Sequence, residues 1–224
     1  MLAYPLAAGT GARARHSKEE AVQSSKDSDT QRRRSPEAHR RRAVAAMAQA
    51  VGEQGYARTT VEDILSRAGM SRRTFYQLFS NREECFLATY DAALEKAMEQ
   101  LALAHGDNGR RWTGQVEVAL EALFEYLASE PDLARVWLVE APSLGPAGIE
   151  RHERTMTKLA ERLAGLRPDG EGAATNGQAA VRFEASIGAV HRVVQARLLA
   201  GRADELPELA PHMARVVGGL VAPG

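Results

Sequence analysis

Arg73 and Gln77 stand one helical turn apart in the run Ser71-Arg72-Arg73-Thr74-Phe75-Tyr76-Gln77-Leu78-Phe79. A guanidinium pairs bidentately with guanine and a side-chain amide with adenine, so this pair suits the reading of base edges in a major groove. At about 100° per residue, Phe75, Leu78 and Phe79 fall in one apolar arc. Arg73 and Gln77 then face the opposite way, flanked by Thr74 and Tyr76, with Arg72 near the N-terminal edge. Thr74, Tyr76 and the helix caps Thr60 and Ser71 are better placed for phosphate oxygens, which set register without reading sequence. A plain solvated face carrying two arginines fits the same spacing.

Two short helices and a turn are needed to hold these residues. Thr59 precedes Glu62, and Thr60 precedes Asp63, at capping-box spacing. Thr60 is preferred, because Val61, Ile64, Leu65 and Ala68 then form one apolar stripe. Gly69 ends that helix in a left-handed turn, Met70 fills the corner and Ser71 caps the next helix. The helix-turn-helix thus covers about residues 60–79. Upstream, Ser35-Pro36-Glu37 starts a helix whose stripe is Val44, Met47, Ala48 and Val51 and whose end is Gly55-Tyr56. Downstream, Ser80-Asn81-Arg82-Glu83 reads as a second capping box. It opens a long helix with Phe86, Leu87, Tyr90, Leu94, Met98 and Leu101 on its apolar side, and it puts Arg82 near a backbone phosphate.

Over residues 36–86 the chain resembles the N-terminal domain of the TetR family of bacterial transcriptional regulators. The resemblance rests on Gly55-Tyr56, on Thr59 to Ile64, on Ala68 to Phe79 and on Asn81-Arg82-Glu83-Glu84, four elements in order. It implies that Thr60, Ser71, Arg72, Arg73, Thr74 and Tyr76 lie at a DNA surface, with the basic residue at position 82 on phosphate. Position 82 is Arg where Lys is usual, and Cys85-Phe86 stands where aliphatic residues are usual.

The 224 residues carry a formal net charge of zero, which taken alone argues against nucleic acid. The distribution argues for it. Residues 1–82 hold 15 Lys/Arg and 8 Asp/Glu, a net of +7, and residues 83–224 hold 14 and 21, a net of −7. A basic head on an acidic body orients a molecule on a polyanion. Residues 1–34 lack periodicity and read as a disordered basic arm ending in Arg32-Arg33-Arg34. Such a run is either a solvated tail or a contact to phosphates and the minor groove. One cysteine, Cys85, fits a reducing cytoplasm. No apolar stretch is long enough to span a bilayer, and Met1 to Gly9 is a poor signal peptide.

Three segments are expected: the arm 1–34, a DNA-binding domain 35–82 and a helical ligand-binding and dimerisation domain 83–224. The fold class is all-α. Further helices are expected at about 83–105, 111–129, 132–141, 147–165, 177–201 and 206–221. The loops fall at Gly106 to Gly109, Pro142 to Pro146 and Arg167 to Gly172. The last two helices are apolar enough either to close the monomer's own core or to serve two partners. The resemblance implies that they pair with those of a twin, giving a homodimer suited to a palindromic operator in double-stranded DNA. It also implies a pocket for an unknown small-molecule effector among the middle helices. Candidate lining residues are Tyr90, Trp112, Phe124, Tyr126, Trp137, His152, Met156 and His191, although each also fits plain core.

No catalytic grouping emerges. His152-Glu153 begins a zinc-binding H-E-x-x-H run, but Met156 stands where the second His is needed. Gly9-Thr10-Gly11 follows no strand, Cys85 has no activating base nearby, and the histidines are scattered without Cys partners. No cofactor, metal or catalytic residue is expected. The reading is a cytoplasmic DNA-binding regulator, a repressor by family habit. The alternatives are a non-specific architectural DNA binder and a helical enzyme.

Overall fold

A computed structural model describes residues 35–103, 111–165 and 177–221, and every described element is helical. The arm 1–34 and the loops expected at Gly106 to Gly109 and Arg167 to Gly172 lie outside the described residues. Helix α1 spans Pro36–Gln54. In its first turns Ala38 N–H donates to Ser35 Oγ at 3.1 Å, His39 Nδ1–H donates to the Ser35 carbonyl at 3.0 Å, and Arg41 pairs with Glu37 at 3.6 Å.

From Ala43 on, the buried stripe of α1 is Ala43, Ala46, Met47, Ala50 and Val51, with Ala48 beside it. Small residues at this density let neighbouring helices approach closely. Gly55 leaves the helix at φ 78°, a value that favours a residue without Cβ. A 3₁₀ turn, Tyr56–Arg58, leads to α2 (Val61–Ala68) and α3 (Arg72–Leu78). Helix α4 (Arg82–Leu103) buries Cys85, Phe86, Thr89, Tyr90, Ala93 and Ala97. Of the expected stripe, Phe86 and Tyr90 are buried, while Leu87, Leu94, Met98 and Leu101 are only partly buried.

The cap of α4 also differs from expectation. Asn81 Oδ1, not Ser80, accepts from Glu84 N–H at 2.8 Å, and Glu84 reaches back to Ser80 N–H at 2.6 Å. The box is shifted by one residue, because the asparagine amide is long enough to reach the third helical N–H from its own position.

The remaining helices are α5 (Trp112–Ser129), α6 (Pro131–Arg135), α7 (Pro146–Gly165), α8 (Gly177–Leu199) and α9 (Leu206–Val221). Helix α6 does not run on as an α-helix to 141. It continues as a π-helical stretch, Val136–Glu140, and then a 3₁₀ turn, Ala141–Leu144, where a loop was expected to begin. Helix α9 packs most extensively on α5, α8 packs on α7 and α9, and α4 packs on α5. Among the described residues no helix is long and apolar enough to cross a membrane.

Candidate nucleic-acid interface and ligand cavity

The turn between α2 and α3 forms as its residue types dictate. Asp63 N–H donates to Thr60 Oγ1 at 3.2 Å. Asp63 Oδ2 in turn accepts from Thr60 N–H at 2.8 Å and from Thr60 Oγ1–H at 2.7 Å. The Thr60 hydrogen bonds hold the Asp63 carboxyl below the usual carboxylate range. Gly69 closes α2 at φ 57°. Ser71 Oγ then accepts from Thr74 N–H at 3.1 Å, which starts α3.

Phe75 on α3 and Phe79, the extended residue just after it, are buried with ring centroids 5.4 Å apart, and Leu78 is partly buried. Arg72, Arg73, Tyr76 and Gln77 are exposed, and Thr74 is half-buried with its hydroxyl 2.9 Å from Ser71 Oγ. The two phenyl anchors therefore fix which way the polar face points. Tyr76 is held edge-on against Phe75 at 5.4 Å, so 48% of a large aromatic is exposed but its direction is fixed.

Two arginines do more than the spacing suggested. Arg72 forms an ion pair with Glu62 of α2, which ties the two helices together at the surface. Arg82 does not point outward towards a phosphate. Its guanidinium lies 4.3 Å over the Tyr56 ring and donates to the carbonyls of Tyr56 and Thr59. The physical reason is local: the 3₁₀ turn leaves these carbonyls without helical partners, and the aromatic face attracts the cation.

Glu140 was not singled out in the sequence, yet it completes this corner. Its carboxylate is buried, accepts from Tyr56 N–H at 3.1 Å and pairs with Arg135 Nη2 at 3.3 Å. Tyr56 is thus gripped on its N–H by the end of the π-helical stretch and on its carbonyl and ring by the start of α4. No local pattern marks a contact across 84 residues.

Between α4, α5, α7 and α8 lies a cavity of about 480 Å³. Of the eight expected lining residues, Trp137, Met156 and His191 line it and the other five do not. Tyr90 is core: its hydroxyl donates to Thr155 Oγ1 at 3.0 Å, and burial pushes its pKa up. Tyr126 is core too, its hydroxyl donating to the Ala93 carbonyl at 3.1 Å. Phe124 is fully buried, and Trp112 packs with a small cluster around Phe183, Ala160 and Val221. His152 sits behind the lining, its ring 4.9 Å from that of His191. The lining that the sequence reading missed is aliphatic, led by Val116, Leu120, Leu123 and Leu127 on α5. Their helical spacing is plain in the sequence, but an aliphatic stripe reads the same whether it meets another side chain or a void.

His191 Nε2 lies 3.0 Å from the Leu138 carbonyl, a backbone oxygen of the π-helical stretch. Burial and the neighbouring His191 hold the His152 pKa down at about 4. Among the described residues, Arg162 and His191 are the two ionisable side chains in the cavity lining. Among the described residues no three His, Cys, Asp or Glu side chains gather as a metal site requires.

Residues 44–89 match the sequence model of the bacterial regulatory proteins of the tetR family. The chain is 27% identical over 100 residues to the HTH-type transcriptional regulator YdgC of Bacillus subtilis. That stretch is 43% of this chain and 51% of YdgC, so the chain spans about half the length of this curated relative. Among solved structures, a TetR-like regulator from Rhodococcus sp. RHA1 superposes with a TM-score of 0.64 at 22% identity, over 81% of this chain and 96% of that one. The fatty acid degradation regulator FadR of Bacillus halodurans gives 0.67 at 18% identity, over 80% and 93%. FadR of Bacillus subtilis, solved with stearoyl-CoA, gives 0.65 at 17% identity, over 79% and 96%. At these identities the structures speak to the fold, and the matched residues 44–89 hold the geometry around α2 and α3 described above. Residues 44–89 are thus similar to the DNA-binding domain of the bacterial regulatory proteins of the tetR family, and the chain shares its fold with TetR-like regulators.

Proposed function

We propose that this chain is a sequence-specific transcriptional regulator that works in the cytoplasm as a homodimer on a palindromic operator, and that a small molecule in the cavity releases it. The observation that carries the reading is the sorting of α3: Phe75 and Phe79 are buried while Arg73, Tyr76 and Gln77 stand exposed on one stretch. In this reading Arg73 and Gln77 meet base edges. Thr60, Ser71, Arg72, Thr74 and Tyr76 meet phosphates, and Arg82 braces the corner behind them. Residues 35–82 form the reading domain, 83–224 bind effector and twin, and the arm 1–34 adds charge.

The cavity supports a ligand-responsive protein, and relatives of the fold bind small molecules: one FadR was solved with stearoyl-CoA and the multidrug binding protein EbrR with imidazole. For the ligand to release DNA it must prefer the shape that does not fit the operator. Repression is the direction we assign. A lining of aliphatic side chains with one Arg and one His suits binding and not turnover.

The test is selection of bound fragments from genomic DNA, followed by affinities at fixed salt for the selected site and for scrambled duplex. A palindromic site with a large specificity ratio is expected. Arg73→Ala should cost about 1–3 kcal/mol and relax preference at one base position, whereas Tyr76→Phe should weaken all sequences alike. Equal affinity for every duplex would instead make the protein an architectural binder.

A further inference from the structure

We propose, resting on the effector-cavity reading above, that the ligand is a long apolar chain closed at one end by an anionic group, with the chain along the cavity and the anion at Arg162. The cavity is elongated. Val116 and Leu127 both line it from α5, and eleven residues of α-helix span about 16 Å. A compact ring would leave part of such a trough empty, whereas a chain fills its length.

The walls favour hydrocarbon. Leu120, Leu123, Leu159 and Val190 offer no hydrogen-bonding atoms from their side chains. A polar ligand body would lose its water there without compensation, while every methylene buried there is a gain over water.

The polar atoms sit apart from these walls. At one end His191 is committed, with Nε2 at 3.0 Å from the Leu138 carbonyl. At the other, Leu101 and Ala102 from the end of α4 meet Arg162 and Gly165 from the end of α7. Arg162 is exposed, and among the described residues it makes no ion pair and no carboxylate lines the cavity. It lies in the last turn of α7, at the negative end of the helix dipole, which disfavours an anion. Without its guanidinium this mouth would reject a negative head group, so Arg162 decides whether the head is charged.

A free long-chain carboxylate and its coenzyme A thioester share this chemistry, the thioester placing phosphates beyond the mouth. Calorimetric titration of the full chain with dodecanoate, dodecan-1-ol and dodecanoyl-CoA separates them. One of the two anionic ligands is expected to bind roughly tenfold or more tighter than the alcohol, the usual reach of a charge-assisted hydrogen bond. The tighter of the two names the source. Arg162→Leu, at an exposed position, should erase that advantage and leave the alcohol's affinity unchanged. Leu123→Trp should weaken all three by filling the trough.

An alcohol that binds as well as the anions, or an anionic advantage that survives Arg162→Leu, overturns the proposal. So does failure of all three to bind. Operator binding by the same preparation, read by gel shift, reports separately on the regulator reading: if it persists, only the ligand class has failed.

Discussion

The His152 imidazole lies partly buried behind the cavity, 4.9 Å from the ring of His191. Burial first, and the His191 charge second, depress its pKa to about 4, with the Trp137 carbonyl pulling weakly the other way. The unfolded chain takes up this proton near the ordinary value of 6.5, and the folded chain only near 4. As pH falls, the unfolded state therefore binds the proton first. The contribution is whole above pH 6.5 and is lost progressively between 6.5 and 4. A His152→Asn variant keeps a polar ring-sized group that does not titrate. The melting temperature of the wild type is expected to fall further than the variant's between about pH 7 and pH 5, carboxylate effects being common to both. A constant difference between the two would show that His152 titrates normally. The same scale shows what could be read beforehand. Thr60, Ser71 and Phe75 settle where spacing puts them, because caps and apolar arcs are local rules, whereas Phe79 is buried from the extended residue that follows α3. The partners of the arginines are not local: Arg72 stands exposed at the N-terminal edge of α3 as expected but pairs with Glu62, and the Arg82 guanidinium is claimed by the Tyr56 and Thr59 carbonyls.

At the scale of elements, the stretch Val136–Glu140 joins two regions that the sequence leaves separate. Trp137 and Leu138 line the cavity, the Leu138 carbonyl meets His191, and Glu140 accepts from Tyr56 N–H ahead of α2. A π-helical stretch places successive side chains at angles an α-helix would not, and such turns recur at working sites. A ligand that shifts Trp137 thus acts on the element that holds Tyr56. Glu140→Ala leaves a buried N–H without its acceptor and Arg135 without its partner. Urea unfolding should show a loss of about 1–3 kcal/mol, with Glu140→Gln losing less because one acceptor oxygen remains. Amide exchange at Tyr56 should quicken in the alanine variant. Unchanged stability and exchange would mean that water replaces the carboxylate at no cost. The helix to 141 and the loop from Pro142 were expected because the apolar spacing of Leu133, Val136 and Trp137 is compatible with either an α- or a π-turn. Only the partners met in three dimensions select between them.

The whole molecule carries its apolar residues on more faces than one core needs. On α8, Phe183, Val190, Val194 and Leu198 are buried while Val181 and Leu199 are 61% and 55% exposed. On α9, Met213 and Val217 are buried while Val216 and Leu220 are 46% and 39% exposed. The sequence shows that the last two helices are apolar enough to serve two partners, but composition alone does not say which of these residues face the core and which face outward. These exposed aliphatic groups on two adjacent helices are what the proposed dimer would cover. A second copy, meeting the same patch about a two-fold axis, is the partner that also serves the proposed DNA reading. Two copies of α3 about 34–36 Å apart would reach successive major-groove faces of a palindrome. Placing charge on both α9 positions, as Val216→Glu with Leu220→Glu, should leave the helical content unchanged, since neither side chain belongs to the buried core. Sedimentation at micromolar concentration should then report a monomer where the wild type reports a dimer. Operator affinity should fall steeply, because each half-site is held by one head alone, while the affinity for a single half-site stays the same. A variant that remains dimeric would move the interface elsewhere. A monomeric wild type that still binds its full operator tightly would show that pairing happens on the DNA.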